Sequence, residues 1–325
     1  MKEMLPLEVL QQSSSAFLLS RSLQLVAESA VADALGDDPA TASDLAKVTG
    51  LHAKALSRVL NLLAAHGIFA RRDDRFAHNE VSRMLRTDHP KSLRSLVRLM
   101  GLPSIWKGAE NLDQAIKTGR VNPHEFWNSL EANPHASQIF NEAMTAKAMA
   151  QVGATVAAYD FSQFGLIGDI GGGRGHLLHA ILAASPTSKG VLFDLPRVIE
   201  SVAGMASDRF ALCPGDFFRD ELPRCDAYVF MEVIHDWPDE ESRAILSSVR
   251  RAAPMNARLL LIEALIADEA GPSWPRTLDI LMLGLVGGSQ RTSAEYQTLF
   301  ADSSFRLERI IDTGAGVSIV EASAA

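Results

Sequence analysis

The sequence has little of several features that would place it in a special class of protein. It has two cysteines, Cys213 and Cys225, which lack metal-site spacing and argue against a disulfide framework. So few cysteines fit a reducing compartment, and we expect the cytoplasm. No uncharged apolar run reaches the roughly 18–20 residues that a membrane span requires. The start, Met-Lys-Glu-Met, does not read as a signal peptide, and repeats and low-complexity segments are lacking.

The sequence also lacks an excess of basic residues. Its 31 Lys and Arg stand against 39 Asp and Glu, for a formal net charge of −8. Broad binding to nucleic acid requires a basic surface, so we expect no nucleic-acid partner. A length of 325 residues with 47% hydrophobic content predicts an ordinary globular protein of more than one domain.

The first hundred residues predict a helical module. Apolar residues recur at three- and four-residue steps and indicate a helix over 15–35, followed by a capped helix from Thr41. A further helix is predicted over 53–66, and residues 68–78 resemble a small hairpin around a charged turn. Helices followed by a hairpin are typical of a winged-helix domain. We assign residues 1–100 to this domain.

A winged-helix domain has two alternative uses, DNA binding and packing against a partner subunit. In the predicted hairpin, Arg71, Arg72 and Arg75 are offset by Asp73 and Asp74. A phosphate-binding surface normally shows more unbalanced positive charge. The sequence therefore favours dimerisation, with the apolar helix at 15–35 buried against a second copy.

Residues 161–325 predict a sheet with helices on both faces, because strand and helix patterns alternate there. The final residues predict a hairpin, so we expect the last strand to run antiparallel to an otherwise parallel sheet. The predicted strands cover 166–170, 190–194, 210–213, 227–233, 258–263, 305–312 and 317–322. Between the two domains, residues 101–160 are predicted to form a helical connector.

A glycine-rich turn follows the first strand of this sheet. Gly171, Gly173 and Gly175 are spaced G-x-G-x-G and precede a helical pattern that starts at His176. Glycines let backbone N–H groups approach a ligand, and a helix N-terminus favours negative charge. A dinucleotide fingerprint requires Gly or Ala at position 176. The spacing therefore favours S-adenosylmethionine over NAD.

Polar residues end each of the five parallel strands, at the edge where ligands bind in such sheets. Asp194 follows Gly171 at the distance at which an acid meets a ribose, although it could also cap a turn. Asp216 can accept a hydrogen bond from an adenine amino group, and Phe217 can cover the ring. His235 and Glu263 end the next two strands. If those strands are neighbours, Glu263 can fix the tautomer of His235 and leave the other ring nitrogen free.

The ordered motifs resemble S-adenosylmethionine-dependent small-molecule O-methyltransferases of the caffeate, acetylserotonin and bacterial polyketide type. This resemblance covers nearly the whole chain and implies a Rossmann-like methyltransferase sheet with an N-terminal winged-helix dimerisation domain, hence a homodimer. It implies no metal. The motifs are residues 169–175, 193–196, 215–218, 235–240 and 287–292. The cofactor contacts it implies are Asp169, Gly171, Gly173, Asp194, Leu195, Asp216, Phe217 and Trp237.

The resemblance also implies the catalytic groups. His235 would be the general base for methylation of a phenolic hydroxyl, oriented by Glu263. Gln290 stands where the plant enzymes carry a second orienting glutamate, and Met231 where many carry a lysine. Because an amide supplies no negative charge, N-methylation, hydroxylation or decarboxylation on the same scaffold are alternatives.

Bulky side chains in and beyond the connector are candidates for a substrate pocket. Aromatic and thioether groups suit a flat ligand, although each could equally serve the core. The candidates are Trp106, Phe126, Trp127, Phe140, Met144 and Met282.

Overall fold

The structure, a computed structural model, describes residues 5–325 except for the side chain of Ala150. It divides into two compact units. The first runs from the start of the described residues to Trp106 and includes Ser129–Lys147. The second comprises Lys107–Asn128 and Ala148–Ala325. The segment 101–160, assigned from sequence to a connector, is thus shared between the two units.

The N-terminal part of the first unit is a small helical domain with a three-stranded sheet. Its core contains the buried side chains of Leu45, Leu60, Leu63, Phe69 and Phe76. Its elements are α1 (Pro6–Glu28), α2 (Val31–Leu35), β1 (Ala40–Thr41), α3 (Ala42–Thr49), α4 (Ala53–Ala65), β2 (Ala70–Arg72), β3 (Arg75–Ala77), α5 (Glu80–Arg83) and α6 (Arg94–Leu99). Three helices follow, namely α7 (Pro103–Thr118), α8 (Pro123–Glu131) and α9 (Pro134–Ala158).

The prediction of one continuous helix over 15–35 is wrong. Ala30 has a φ of 51°, in the left-handed region, and separates α1 from α2. A left-handed residue ends the run of i to i−4 hydrogen bonds and redirects the chain. Val31 and Leu35 are consequently buried in the domain core.

The predicted caps and hairpin of this domain are confirmed. The Thr41 side chain accepts a hydrogen bond from the Asp44 N–H at 3.2 Å, which begins α3, and Gly50 ends that helix with a φ of 70°. Strands β2 and β3 pair antiparallel, with Ala70 opposite Ala77. Strand β1 adds a third, unpredicted strand against β3.

The second unit is built on a seven-stranded sheet. Its strands are β4 (Leu166–Ile170), β5 (Lys189–Asp194), β6 (Phe210–Pro214), β7 (Ala227–Met231), β8 (Arg258–Glu263), β9 (Phe305–Asp312) and β10 (Ser318–Ala324). The intervening helices are α10 (His176–Ala184), α11 (Pro196–Ser201), α12 (Asp239–Ala252), α13 (Trp274–Leu285) and α14 (Ser293–Asp302).

The sheet order is β6-β5-β4-β7-β8-β10-β9. Strands β4 to β8 pair in parallel, and β10 lies antiparallel between β8 and β9. The prediction of a reversed last strand is therefore confirmed. Separate apolar cores cover the two faces, with Phe230 and Leu261 in one and Val229 and Ile262 in the other. Across residues 5–325, none of the helices has both the length and the apolar character to cross a bilayer.

Candidate active site

The carboxyl ends of β4 to β8 bring the polar residues singled out from sequence to one edge of the sheet. Strand β4 is central, with β5 on one side and β7 on the other. Asp169 of β4 lies in register with Leu192 of β5 and Val229 of β7. This arrangement separates a cofactor half of the edge (residues 169–175, 194–195 and 216–218) from a base half (residues 234–237, 263 and 288–291).

The glycine turn of the cofactor half requires glycine for two different reasons. Gly171, Gly173 and Gly175 have φ values of 67°, 57° and 71°, which other residues adopt at a cost. Gly172 has an ordinary φ, but a Cβ there would collide with the carboxyl group of Asp169. The turn therefore crosses directly over that carboxyl. Sequence reasoning missed Gly172, because the clash comes from the preceding strand.

Asp169 is a buried acid at the end of β4, beneath the glycine turn. Asp169 is 1% exposed, and neither oxygen of its carboxyl group has a hydrogen-bond partner among the residues described. Burial raises the pKa of Asp169 to about 7. A buried acceptor without a donor is costly and suits a ligand that brings N–H groups.

The next two acids are already engaged with backbone N–H groups. Asp194 accepts from Gly173 N at 2.8 Å through Oδ2 and from Leu195 N at 2.7 Å through Oδ1, which ties the end of β5 to the glycine turn. Burial raises the pKa of Asp194. Asp216 accepts from Phe218 N at 2.9 Å and so caps its own turn. Carboxylate oxygens have further lone pairs for ribose hydroxyls or an adenine amino group.

Three aromatic rings meet beside Asp216. The ring centroid of Trp237 lies 5.9 Å from that of Phe217 and 4.7 Å from that of Phe218, with the rings close to perpendicular. Phe218 is 39% exposed. Phe217 and Trp237 are predicted from the sequence, but Phe218, the ring nearer to Trp237, is not.

His235 lies on a single turn of 3-10 helix, Ile234–Asp236, after strand β7. Glu232 leaves the strand with a φ of 54°, which turns the chain toward this helix. Because β7 and β8 are parallel neighbours, Glu263 at the end of β8 reaches the same place. Its Oε2 lies 3.0 Å from Nδ1 of His235, and its Oε1 accepts from Ile234 N at 3.0 Å. The predicted pairing of His235 with Glu263 is confirmed.

The second ring nitrogen of His235 is not free, and the prediction on this point is wrong. Nε2 lies 3.4 Å from Oδ1 of Asp236. Burial would lower the pKa of His235, but the negative charges of Glu263 and Asp236 outweigh it and raise the pKa to about 10. The imidazole is therefore held between two carboxylates, and its charged form is favoured at neutral pH.

Gln290 is a buried residue of the base half, and its backbone is anchored to helix α13. Its N–H donates to Oδ1 of Asp279 on α13 at 2.9 Å, while both polar atoms of its side chain are buried and lack a partner among the described residues. The same segment contains Gly288, where a Cβ would collide with the carbonyl oxygen of His235. Gly288 thus packs directly on the backbone of the histidine turn.

Arg291 is a residue of the base half that sequence reasoning missed. It is 2% exposed, and its guanidinium donates to the carbonyl oxygens of Ile234 at 3.3 Å and Trp237 at 3.0 Å. Asp239 accepts from it at 2.8 Å. Position 291 follows Gln290 in the quoted motif, but nothing in the local sequence shows that its side chain reaches the histidine turn.

The pocket candidates are distributed over both units. Trp106, Phe140 and Met144 belong to the first unit, and Phe126, Trp127 and Met282 to the second. Trp106 donates to the Gln24 side chain at 3.2 Å, a contact within the first unit. Phe126 and Trp127 pack edge to face with centroids 5.0 Å apart. Their role in substrate binding stays a prediction.

The cofactor half fits a nucleotide-like cofactor with an amino-acid end. The negative charge of Asp169 lies beneath the turn, and a Cβ at Gly173 would meet nothing within 4 Å, which leaves space over the turn. Acids on successive strands and an aromatic cluster complete a site for a nucleoside. These features suit an α/β protein that takes a nucleotide-like ligand at the carboxyl edge of its sheet.

Comparison with known families identifies the enzyme class. The sequence profile of the O-methyltransferase domain matches residues 110–306, and that of the O-methyltransferase dimerisation domain matches residues 11–88. The chain belongs to the S-adenosylmethionine-dependent O-methyltransferase family. The match over residues 11–88 agrees with a dimerisation role for the helical N-terminal domain.

Individual relatives agree with this assignment over nearly the whole chain. Mitomycin biosynthesis 6-O-methyltransferase of Streptomyces lavendulae is 36% identical over 93% of this chain and 90% of its own length. Phenazine O-methyltransferase PhzM of Lysobacter antibioticus is 36% identical over 97% and 95%. The crystal structure of CalO1, a methyltransferase in calicheamicin biosynthesis, in its S-adenosylhomocysteine-bound form has a TM-score of 0.86 at 30% identity, covering 99% of this chain and 100% of that one.

Proposed function

We propose that this enzyme methylates a phenolic hydroxyl of an aromatic small molecule, with His235 as the general base. The observation that carries the proposal is the buried His235–Glu263 pair, 3.0 Å apart at the sheet edge. The similarity to enzymes named for mitomycin and phenazine substrates supports an aromatic acceptor.

The proposed cofactor site is the cofactor half of the edge together with Trp237 of the base half. Asp169 would hold the amino group of S-adenosylmethionine, Gly171 and Gly173 its methionine portion, and Asp194 with Leu195 its ribose. Asp216, Phe217 and Trp237 would hold the adenine. When bound, S-adenosylmethionine supplies a methyl group already activated for transfer.

We propose that the base half removes one proton from the acceptor hydroxyl. Nε2 of His235 would accept the proton of the acceptor hydroxyl while the methyl group passes from the sulfonium sulfur, which keeps the electron pair of the broken carbon–sulfur bond, to the hydroxyl oxygen. Glu263 holds Nδ1 and stabilises the resulting imidazolium, as carboxylates do behind catalytic histidines. Asp236 must give up its contact with Nε2 when the acceptor arrives. A phenol with a pKa near 10 can then lose its proton during attack.

The test is transfer of a labelled methyl group to a panel of hydroxyaromatic acceptors, with arylamines as a second arm. We expect His235→Asn to lower kcat about 10²–10⁴-fold, the usual contribution of a general base, and to leave the Kd for S-adenosylhomocysteine nearly unchanged. The control is His66→Asn, an exposed histidine of the first unit. An unchanged kcat in His235→Asn would show that His235 is not the general base. Methylated products from arylamines alone would show that the acceptor is an amine and not a hydroxyl.

We also propose a homodimer formed through the N-terminal domain. Helix α1 exposes apolar side chains along its first half, including Leu10 at 69% and Phe17 at 54% exposure. Burying such side chains against a second copy is favourable by about 25 cal/mol for each Å². Light scattering should give twice the chain mass, and Leu10→Asp with Phe17→Asp should give the monomer. A wild-type monomer would contradict the proposal.

A further inference from the structure

The histidine turn is too short to fix its own geometry. One turn of 3-10 helix, Ile234–Asp236, makes few internal hydrogen bonds, so its orientation depends on what packs against it. On the amide side, Glu263 accepts from Ile234 N at 3.0 Å. On the carbonyl side the partners are Arg291 and the hydroxyl of Ser242, which donates to the carbonyl oxygens of Ile234 at 3.4 Å and Trp237 at 3.1 Å. The turn therefore lies between two buried charged side chains. Glu263 faces its N–H groups, and Arg291 faces its carbonyl oxygens.

The Arg291 guanidinium spans the turn from one end to the other. Nη1 donates to the carbonyl oxygen of Ile234 at 3.3 Å, and Nη2 donates to that of Trp237 at 3.0 Å. These carbonyls flank His235 and Asp236 in the chain. A planar guanidinium with donors on separate nitrogens can make both bonds at once, whereas an ammonium is a single point donor.

Arg291 is itself held in place. Asp239 at the start of α12 accepts from Nε at 3.0 Å and from Nη2 at 2.8 Å. Ser242, one turn further along α12, accepts from Nη2 at 3.2 Å. The Arg291 carbonyl accepts from Ile266 N at 3.1 Å, so its backbone is fixed as well. A buried cation with this many defined partners has little freedom to move.

We propose that Arg291 is a positioning residue for methyl transfer, which sets the imidazole of His235 relative to the acceptor hydroxyl through the carbonyls of Ile234 and Trp237. The inference rests on the proposed function of His235. Because Trp237 is also a proposed adenine contact, Arg291 couples the position of the base to the cofactor half of the edge. Misplacement of a catalytic group by about 1 Å can cost about 10²-fold in rate.

The experiment compares Arg291→Lys and Arg291→Met with Arg243→Lys. Arg243 is a half-exposed arginine of α12 that pairs with Asp302 at 3.6 Å. We expect kcat to fall about tenfold in Arg291→Lys and about 10²-fold in Arg291→Met, with KM for the acceptor nearly constant. The pH at which kcat levels off should also move in Arg291→Lys. Arg243→Lys should behave as wild type.

Either of two results would overturn the inference. One is wild-type kcat and an unmoved pH profile in Arg291→Lys. The other is a loss of kcat that only follows the loss of folded protein, measured by circular dichroism on the same samples. If Arg291→Met does not fold, Arg291→Lys alone decides between these results and the expected one.

A measurement without turnover separates this inference from the proposed function. With ¹⁵N-labelled histidine, the His235 ring signals can be identified among the nine histidines by their loss in His235→Asn. Arg291→Lys should change the ring ¹⁵N shifts and the pH at which they titrate, and unchanged signals would reject positioning. If wild-type enzyme methylates no hydroxyaromatic, the proposed function fails while this measurement still tests Arg291.

Discussion

The two halves of the sheet edge differ in which of their groups are held by hydrogen bonds. In the cofactor half, both oxygens of the Asp169 carboxylate are buried without a partner among the described residues. In the base half, Glu263 meets a backbone N–H and the imidazole, and Arg291 meets two carbonyls and a carboxylate. Both halves therefore keep buried polar atoms without a hydrogen-bond partner among the described residues, but in the base half buried charged side chains hold the backbone of the histidine turn from two sides.

This difference corresponds to two tasks. A binding site gains affinity when a ligand satisfies groups that the protein leaves without partners. A catalytic group gains rate when its geometry is fixed in advance, so that no reorganisation is needed during reaction. Changes in the cofactor half should therefore act on stability and affinity, and changes in the base half on kcat.

The largest expected effect is the pH dependence of the base half. With the pKa of His235 raised to about 10, the imidazolium form predominates below that pH, and only the neutral form can accept a proton. The kcat/KM should rise about tenfold for each pH unit from pH 7 and level off near pH 10. His235→Asn should lack this rise. A flat profile between pH 7 and 9 in wild type would show that the charged pair does not limit the reaction.

The next effect concerns Asp169 in the cofactor half. Because burial raises its pKa from 3.8 to about 7, the ionised carboxylate destabilises the folded protein, and the free energy of unfolding falls between about pH 4 and 7. The difference corresponds to about 4 kcal/mol at about 1.4 kcal/mol for each pH unit. Asp169→Asn should be more stable than wild type at pH 8, and this advantage should be smaller at pH 5. The measurement is urea unfolding without cofactor. The opposite trend would contradict a raised pKa caused by burial of this carboxyl.

Gly288→Ala should affect catalysis and not cofactor affinity. The new methyl group would collide with the His235 carbonyl and displace the turn. We expect kcat to fall about 10²-fold, with the Kd for S-adenosylhomocysteine within threefold of wild type. Gly153→Ala in α9 is the matched control, because its Cβ would meet nothing within 4 Å. An equal loss in kcat and affinity would mean that the two halves are not separate.

Asp194→Asn should weaken cofactor binding and leave kcat nearly unchanged. Both carboxylate oxygens accept backbone N–H groups, from Gly173 and Leu195, and an amide can replace only one of them. Loss of a charge-assisted bond of about 1.5 kcal/mol should weaken S-adenosylhomocysteine binding about tenfold in calorimetry. The kcat at saturating S-adenosylmethionine should change little. A fall in kcat with unchanged affinity would place Asp194 in the base half.

Local sequence patterns were enough to predict the short-range elements and the chemistry available at the sheet edge. Periodicity, caps and turn residues act within a few positions, so the Thr41 cap, the glycine turn before α10 and the acids ending β4, β5 and β6 could all be read in order. The break at Ala30 was missed, because the apolar repeat continues through it and only packing of α2 in the core requires the left-handed residue.

Which of these groups come into contact depends on the folded sheet. Strand order places Glu263 beside His235, and a segment more than fifty positions away brings Gly288 and Arg291 onto the histidine turn. Asp236 at Nε2 and the carboxyl beneath Gly172 depend in the same way on side-chain directions after folding. Contacts between residues distant in the chain are fixed by packing the whole sheet, and no local pattern encodes them.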